Sequence, residues 1–208
     1  MPRTIAFLLF DGAEELDFAG PWEVFTMVNE LRPGEARCYT AAETPAPVTC
    51  AKGLRVLPDC TFTEAPPADL VIIPGGIGTR RERDNPALRA VIERLRAGGA
   101  ALASVCTGAL VLERMGLLDG RRAITHRVGI PILNKNPQIT VIESARYLDE
   151  GDIVTAAGVS AGIDMALYLV RRFWGPGLAD EVRQAMEYYP EPWEAAPSSD
   201  AAARRSSP

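Results

Sequence analysis

The residues that can do chemistry here are few. The 208-residue chain holds four cysteines and one histidine, so a thiol or imidazole reaction has little choice of address. Cys106 stands out within GGAALASVCTGALVLERMG, residues 98 to 116, because it ends an apolar run abruptly. Ala100 to Val105 predicts a short buried strand, and Thr107 to Met115 predicts a helix that opens with small residues. A side chain on that turn is pushed out over the end of the sheet, facing the free N–H groups and positive dipole end of the next helix. Those conditions favour a thiolate, the reactive form of cysteine. The plainer reading is a buried small hydrophobe, the ordinary fate of a free cysteine.

Asp17 is the carboxylate to weigh beside it. It lies just beyond the first apolar run, near where open α/β sheets bind ligands, and can serve as a general acid or base. Capping a helix is the commoner job for such an Asp, and Glu14, Glu15 and Glu23 are rivals in the same stretch. His126 is the sole imidazole, so a Cys/His or Ser/His/Asp arrangement must use it or be absent. At a strand end it is more often a structural hydrogen-bonder. Gly75 and Gly76 allow close backbone approach and an N–H directed at an oxyanion. They do not form a dinucleotide fingerprint, since Gly76-Ile77-Gly78 lacks the third glycine, and no G-K-[ST] phosphate loop is present. Cys38, Cys50 and Cys60 are far apart and form no C-x-x-C pair, so neither a metal site nor a disulfide framework is expected.

These residues need elements to hold them. Thr4 to Phe10 predicts a central strand buried on both faces, ending at Asp11-Gly12. A helix proper starts near Pro21, which leaves Asp17 in the loop or first turn before it. Short strand-like pieces fill residues 35 to 65. DLVIIPGG, residues 69 to 76, is a second buried strand, and PALRAVIERLRAGG follows as an amphipathic helix with Leu88, Val91, Ile92 and Leu95 facing inward. A short strand ends at His126. Residues 139 to 157 predict strands with a hairpin at Asp149-Glu150-Gly151-Asp152, then a helix capped by Ser160, and a last helix over about 178 to 187. The stretch after Trp193, residues 194 to 208, is small, polar and rich in Pro and Ser, and is expected to be disordered. Strand and helix alternate, which implies a single α/β domain over residues 1 to 193, a mostly parallel sheet with helices on both faces. In that fold Asp17, Gly75, Gly76 and Cys106 converge on one crevice.

Composition narrows the function classes. With 47% hydrophobic and 24% charged residues, the chain can bury one sizeable core. A net charge of −5 with no basic run beyond pairs such as Arg80–Arg81 and Arg121–Arg122 argues against nucleic-acid binding. The N-terminal apolar run is too short for a signal peptide or a membrane span, so a cytoplasmic protein with reduced thiols is expected.

LLFDGAEELDFAGPWEVF, VIIPGGIG, SVCTGALVLERMGLLDGRRAITH and AGVSAGIDMALYLV, in this order, resemble the ThiJ/PfpI superfamily of the class I glutamine amidotransferase-like, flavodoxin-like fold. The likeness runs from Thr4 to about Trp193. D-x-x-G-P at Asp17 to Pro21, S-V-C-T-G at Ser104 to Gly108 and E-Y-x-P-x-P at Glu187 to Pro192 are most similar to the isocyanide hydratase branch. The resemblance implies a homodimer acting on a small molecule without metal or organic cofactor, with a nucleophile elbow at Cys106 and Asp17 as its carboxylic partner. Thr107 then offers a hydroxyl and N–H beside the nucleophile, Gly76 and Ile77 further N–H groups, and Val159 a wall, although core packing is the commoner role for valine. The sequence also departs from relatives of this kind. Thr107 stands where the superfamily's proteases carry His, and Asp17 where its glyoxalase and deglycase members carry Glu. Arg127 follows the T-H pair where the hydratases have Trp, and VGIPILNK replaces their HELL-like segment. Glyoxalase-like turnover of reactive carbonyls, a thiol redox sensor and the sensor half of an arabinose-type regulator are the alternatives; the polar C-terminal stretch offers no room for a regulator's helix-turn-helix.

Overall fold

The computed structural model describes residues 2 to 190. Expectations for residues 191 to 208, including the disordered stretch, Trp193 and the end of the E-Y-x-P-x-P pattern, lie outside the described residues.

Seven strands form one sheet. In spatial order they are Tyr147–Asp149, Ile153–Ala156, Ala101–Val105, Leu70–Ile73, Arg3–Leu8, Ala36–Ala42 and Cys60–Thr61. Every pairing is parallel except the first, which is the hairpin expected at residues 149 to 152. Period-two alternation splits the apolar strands between two cores. Ile5, Phe7, Leu70, Ile72, Ala103, Val105 and Val154 face one side; Ala6, Leu8, Val71, Ile73, Leu102 and Ile153 face the other. Helices Glu15–Leu31, Ala161–Trp174 and Pro176–Ala185 cover the first side with Val24, Phe25, Val28, Met165, Leu169 and Val182. Helices Pro86–Ala97 and Ala109–Arg114 cover the second, and Leu88, Val91, Ile92 and Leu95 are buried there as their spacing predicts. Among the described residues no helix is long and apolar enough to cross a membrane.

The chain leaves the Arg3–Leu8 strand to pair Ala36–Ala42 on one side, then returns to pair Leu70–Ile73 on the other. This reversal opens a crevice at the strand C-termini.

Four elements differ from expectation. The first long helix starts at Glu15, so Gly20 and Pro21 are internal. Tertiary packing overrides their breaking tendency: a Cβ on Gly20 would sit 2.8 Å from Ile163 Cγ1, and one on Gly162 3.3 Å from Pro21 Cγ. Ser160 makes no capping bond; its hydroxyl accepts from Arg146 instead. The strand before His126 spans only Arg122–Ala123, paired with Thr140–Val141 away from the main sheet. The last helix, Pro176–Ala185, begins at its proline, whose fixed φ suits a first helical position.

Candidate active site

Cys106 occupies the sharp turn that the sequence predicts, with φ 57°. For a residue other than glycine this left-handed conformation costs roughly 1–2 kcal/mol. Three contacts hold it there. The Cys106 N–H donates to the Ala157 carbonyl at 2.8 Å, and its own carbonyl accepts the Thr125 hydroxyl at 2.7 Å. Gly108 packs so tightly on the neighbouring Leu70–Ile73 strand that a Cβ would meet the Ile73 carbonyl oxygen at 2.2 Å. The helix expected from Thr107 is tightened here into a 3-10 turn, Cys106–Gly108, before Ala109–Arg114 continues as α-helix.

Asp17 arrives from the first turn of the Glu15–Leu31 helix and is wholly buried. It caps nothing, which overturns the cap reading. Its Oδ2 accepts the Gly75 N–H at 2.8 Å, while Oδ1 is buried with no hydrogen-bond partner among the described residues. Four residues on, Pro21 has no N–H to return to the Asp17 carbonyl. Gly75 is what lets the three segments meet. A Cβ there would lie 2.5 Å from the Thr107 nitrogen and 2.8 Å from Asp17 Oδ2.

Burial, reinforced by the Glu14 charge, pushes the Asp17 carboxyl up to about 7 against the pull of the Gly75 N–H and Cys106. Burial and the charge of Asp17 push the Cys106 thiol up to about 11, against the N–H groups of Thr107 and Val159 and the Thr107 hydroxyl. This corrects the expectation of an exposed, acidified thiol: Cys106 is 6% exposed, and desolvation outweighs one short helix start. Burial alone pushes Cys38 up to about 12. Asp17 and Cys106 face each other and titrate as a pair.

The expected oxyanion donors are only partly available. The Gly75 N–H is taken by Asp17, and the Gly76 N–H donates to Thr107 Oγ1 at 3.0 Å. Thr107 Oγ1 in turn bonds the Gly76 carbonyl and receives the Thr79 hydroxyl at 3.1 Å. Thr107 is therefore a buried hub joining the two glycine-bearing and cysteine-bearing turns. The Ile77 N–H has no partner among the described residues, and its side chain is 64% exposed. Val159 does more than wall the site. Its backbone, at φ 29°, supplies an N–H that helps to lower the Cys106 thiol, while its side chain packs on the core. His126 reaches the rim only: its ring packs on Gly158, where a Cβ would lie 2.5 Å from Cδ2, and Nδ1 faces the Val128 N–H at 3.4 Å. Burial and the charges of Arg127 and Arg80 hold it below the usual imidazole range, with Glu14 opposing. Among the described residues it bonds neither Cys106 nor Asp17. Glu14 pairs with Lys52 at the edge of the site.

Sequence reasoning did not single out Thr125, Thr79 or Lys52. Thr125 immediately precedes the only histidine, but a lone threonine carries no pattern that marks it. No group of side chains suited to a metal ion occurs among the described residues.

Comparison with known proteins places this geometry among relatives. The profile of the DJ-1/PfpI family matches residues 3–172. The isonitrile hydratase of Pseudomonas putida is 33% identical over 192 residues, covering 92% of this chain and 81% of that protein. The HTH-type transcriptional regulator CdhR of Pseudomonas aeruginosa is 30% identical over 185 residues, 88% of this chain but 54% of the regulator. Among solved structures, a ThiJ/PfpI family protein from Pseudomonas syringae superposes with a TM-score of 0.84 at 29% identity, covering 99% of this chain and 84% of its own.

Proposed function

The chain belongs to the DJ-1/PfpI family, and from that premise we propose that it is a cofactor-independent hydratase that adds water to an isocyanide to give an N-substituted formamide. The observation that carries this reading is the Asp17 carboxyl: buried, with one oxygen unpartnered, set beside Cys106 and held near neutrality. A proton carrier poised near pH 7 next to a soft nucleophile suits an electrophilic carbon that must gain both sulfur and hydrogen.

The reactive form of the pair carries one negative charge. Asp17 takes the Cys106 proton, the thiolate attacks the terminal carbon, and Asp17 returns the proton to that carbon, leaving a thioimidate. Water, deprotonated by Asp17, then adds to the same carbon while Asp17 passes that proton to the nitrogen. Collapse of the tetrahedral adduct breaks the C–S bond and releases the formamide, and Cys106 recovers its proton. The N–H groups of Thr107 and Val159 stabilise the sulfur whenever it is anionic, and the Ile77 N–H is free to meet substrate. The small-molecule substrate needs no metal or organic cofactor for these steps.

The 33% identity to an isonitrile hydratase supports the reaction class. The homodimer implied by the resemblance and the cytoplasmic location expected from the N-terminal run belong to this proposal, and sedimentation of the purified protein tests the former. To test the activity, the protein and its Cys106→Ala variant are incubated with an aliphatic isocyanide while formamide is followed by mass spectrometry. Multiple turnover by the parent and none above background by the variant is expected. Formamide at equal rates from both would refute the proposal, as would methylglyoxal being the only substrate consumed.

A further inference from the structure

Thr125 is 2% exposed and lies in the irregular stretch between Arg122–Ala123 and Ile130–Leu133. Three contacts pin this stretch to the sheet end. The Ile124 N–H donates to Thr155 Oγ1 at 3.0 Å, the Thr125 hydroxyl donates to the Cys106 carbonyl at 2.7 Å, and the His126 ring packs on Gly158. Gly129 closes over Thr125 so tightly that a Cβ would lie 2.8 Å from Oγ1 and 3.0 Å from Cγ2. Gly129 thus leaves room for the Thr125 side chain where a larger residue would not.

The carbonyl it holds has a special partner. The Cys106 C=O and the Thr107 N–H are two ends of one planar peptide unit, and that N–H opposes the burial that pushes the Cys106 thiol up. A hydrogen bond accepted by the carbonyl fixes the plane and polarises the N–H at its other end. The same bond steadies the left-handed backbone at Cys106, where φ is 57°. We propose that Thr125 is a positioning residue for the nucleophile: by clamping the Cys106 carbonyl it aims and strengthens the Thr107 N–H that stabilises the thiolate. Thr125 itself touches no reacting atom. The inference rests on Cys106 being the nucleophile, and it extends the machinery to a loop with no other part in the chemistry.

The test measures the rate at which iodoacetamide alkylates Cys106, read on its own peptide by mass spectrometry as a function of pH, in the parent, Thr125→Val and Thr125→Ser. Thr125→Val is expected to slow alkylation about fivefold near neutrality, as loss of one ordinary hydrogen bond implies, by moving the profile to higher pH. Thr125→Ser, which keeps the hydroxyl, is expected to restore the parent profile. A Val profile that superimposes on the parent, or a Ser variant as slow as Val, overturns the proposal. If Thr125→Val does not fold, Thr125→Ala answers the same question, with the thermal midpoint measured beside it. Because alkylation needs no isocyanide, a missing formamide product together with the expected Thr125 effect counts against the hydratase reading alone.

Discussion

Asp17 carries the strongest consequence at the scale of a single residue. Its carboxyl titrates at about 7 in the folded chain against 3.8 as a free group, so the native state keeps a proton that the unfolded state gives up. The sign follows: Asp17 leaves stability intact below pH 4, and the penalty grows as pH rises to 7, reaching the order of 4 kcal/mol. Asp17→Asn is therefore expected to be more stable than the parent above pH 7 by a few kcal/mol, with the gap closing towards pH 4, measured by urea unfolding. Its activity moves the other way. The reactive pair must lose one proton, so the parent's kcat/KM is expected to rise with pH through about 7. In Asp17→Asn this inflection should vanish, with turnover lower by about 10²–10⁴-fold, the usual contribution of a general acid–base group. A variant that is inactive but less stable at every pH would mean that Asp17 is a structural group.

Between elements, the decisive contact is the docking of the Cys106 turn onto the Leu70–Ile73 strand through Gly108. A methyl group there meets main chain, the Ile73 carbonyl at 2.2 Å, and main chain cannot rotate away as a long side chain can. Gly108→Ala is expected to cost about 1–3 kcal/mol in thermal unfolding and to lower Cys106 alkylation, because relief comes by lifting the turn that holds the nucleophile. An unchanged melting temperature would show that the turn tolerates displacement. The first helix illustrates the same logic in reverse. Gly20-Pro21 predicts a helix start, yet the Glu15–Leu31 helix runs through both, since they are the thin places where it approaches Gly162 and Ile163. Extending the helix back to Glu15 brings Asp17 inward.

At the scale of the whole molecule, the sheet separates two cores, and a central strand serves both. Ile72 is fully buried on one side, next to Val71 on the other, so Ile72→Ala is expected to lower stability by about 2–5 kcal/mol in chemical denaturation. Leu57→Ala, at a side chain 69% exposed, should stay within about 0.5 kcal/mol; equal losses would contradict this core. The α/β class, the parallel sheet, the elbow at Cys106 and the meeting of Asp17, Gly75, Gly76 and Cys106 were all legible in the chain, because apolar runs, glycine-marked turns and helical spacing are local patterns. Hidden from that reading were the Asp17 environment, the engagement of the Gly75 and Gly76 N–H groups, the N–H of Val159 and the Thr125 clamp. Each depends on what distant segments bring to within 3 Å or so of one another. The sequence by itself determined which side chains could react and which strand ends would carry them. Only the tertiary structure decided their protonation and their partners, because desolvation and hydrogen bonding are set by neighbours in space.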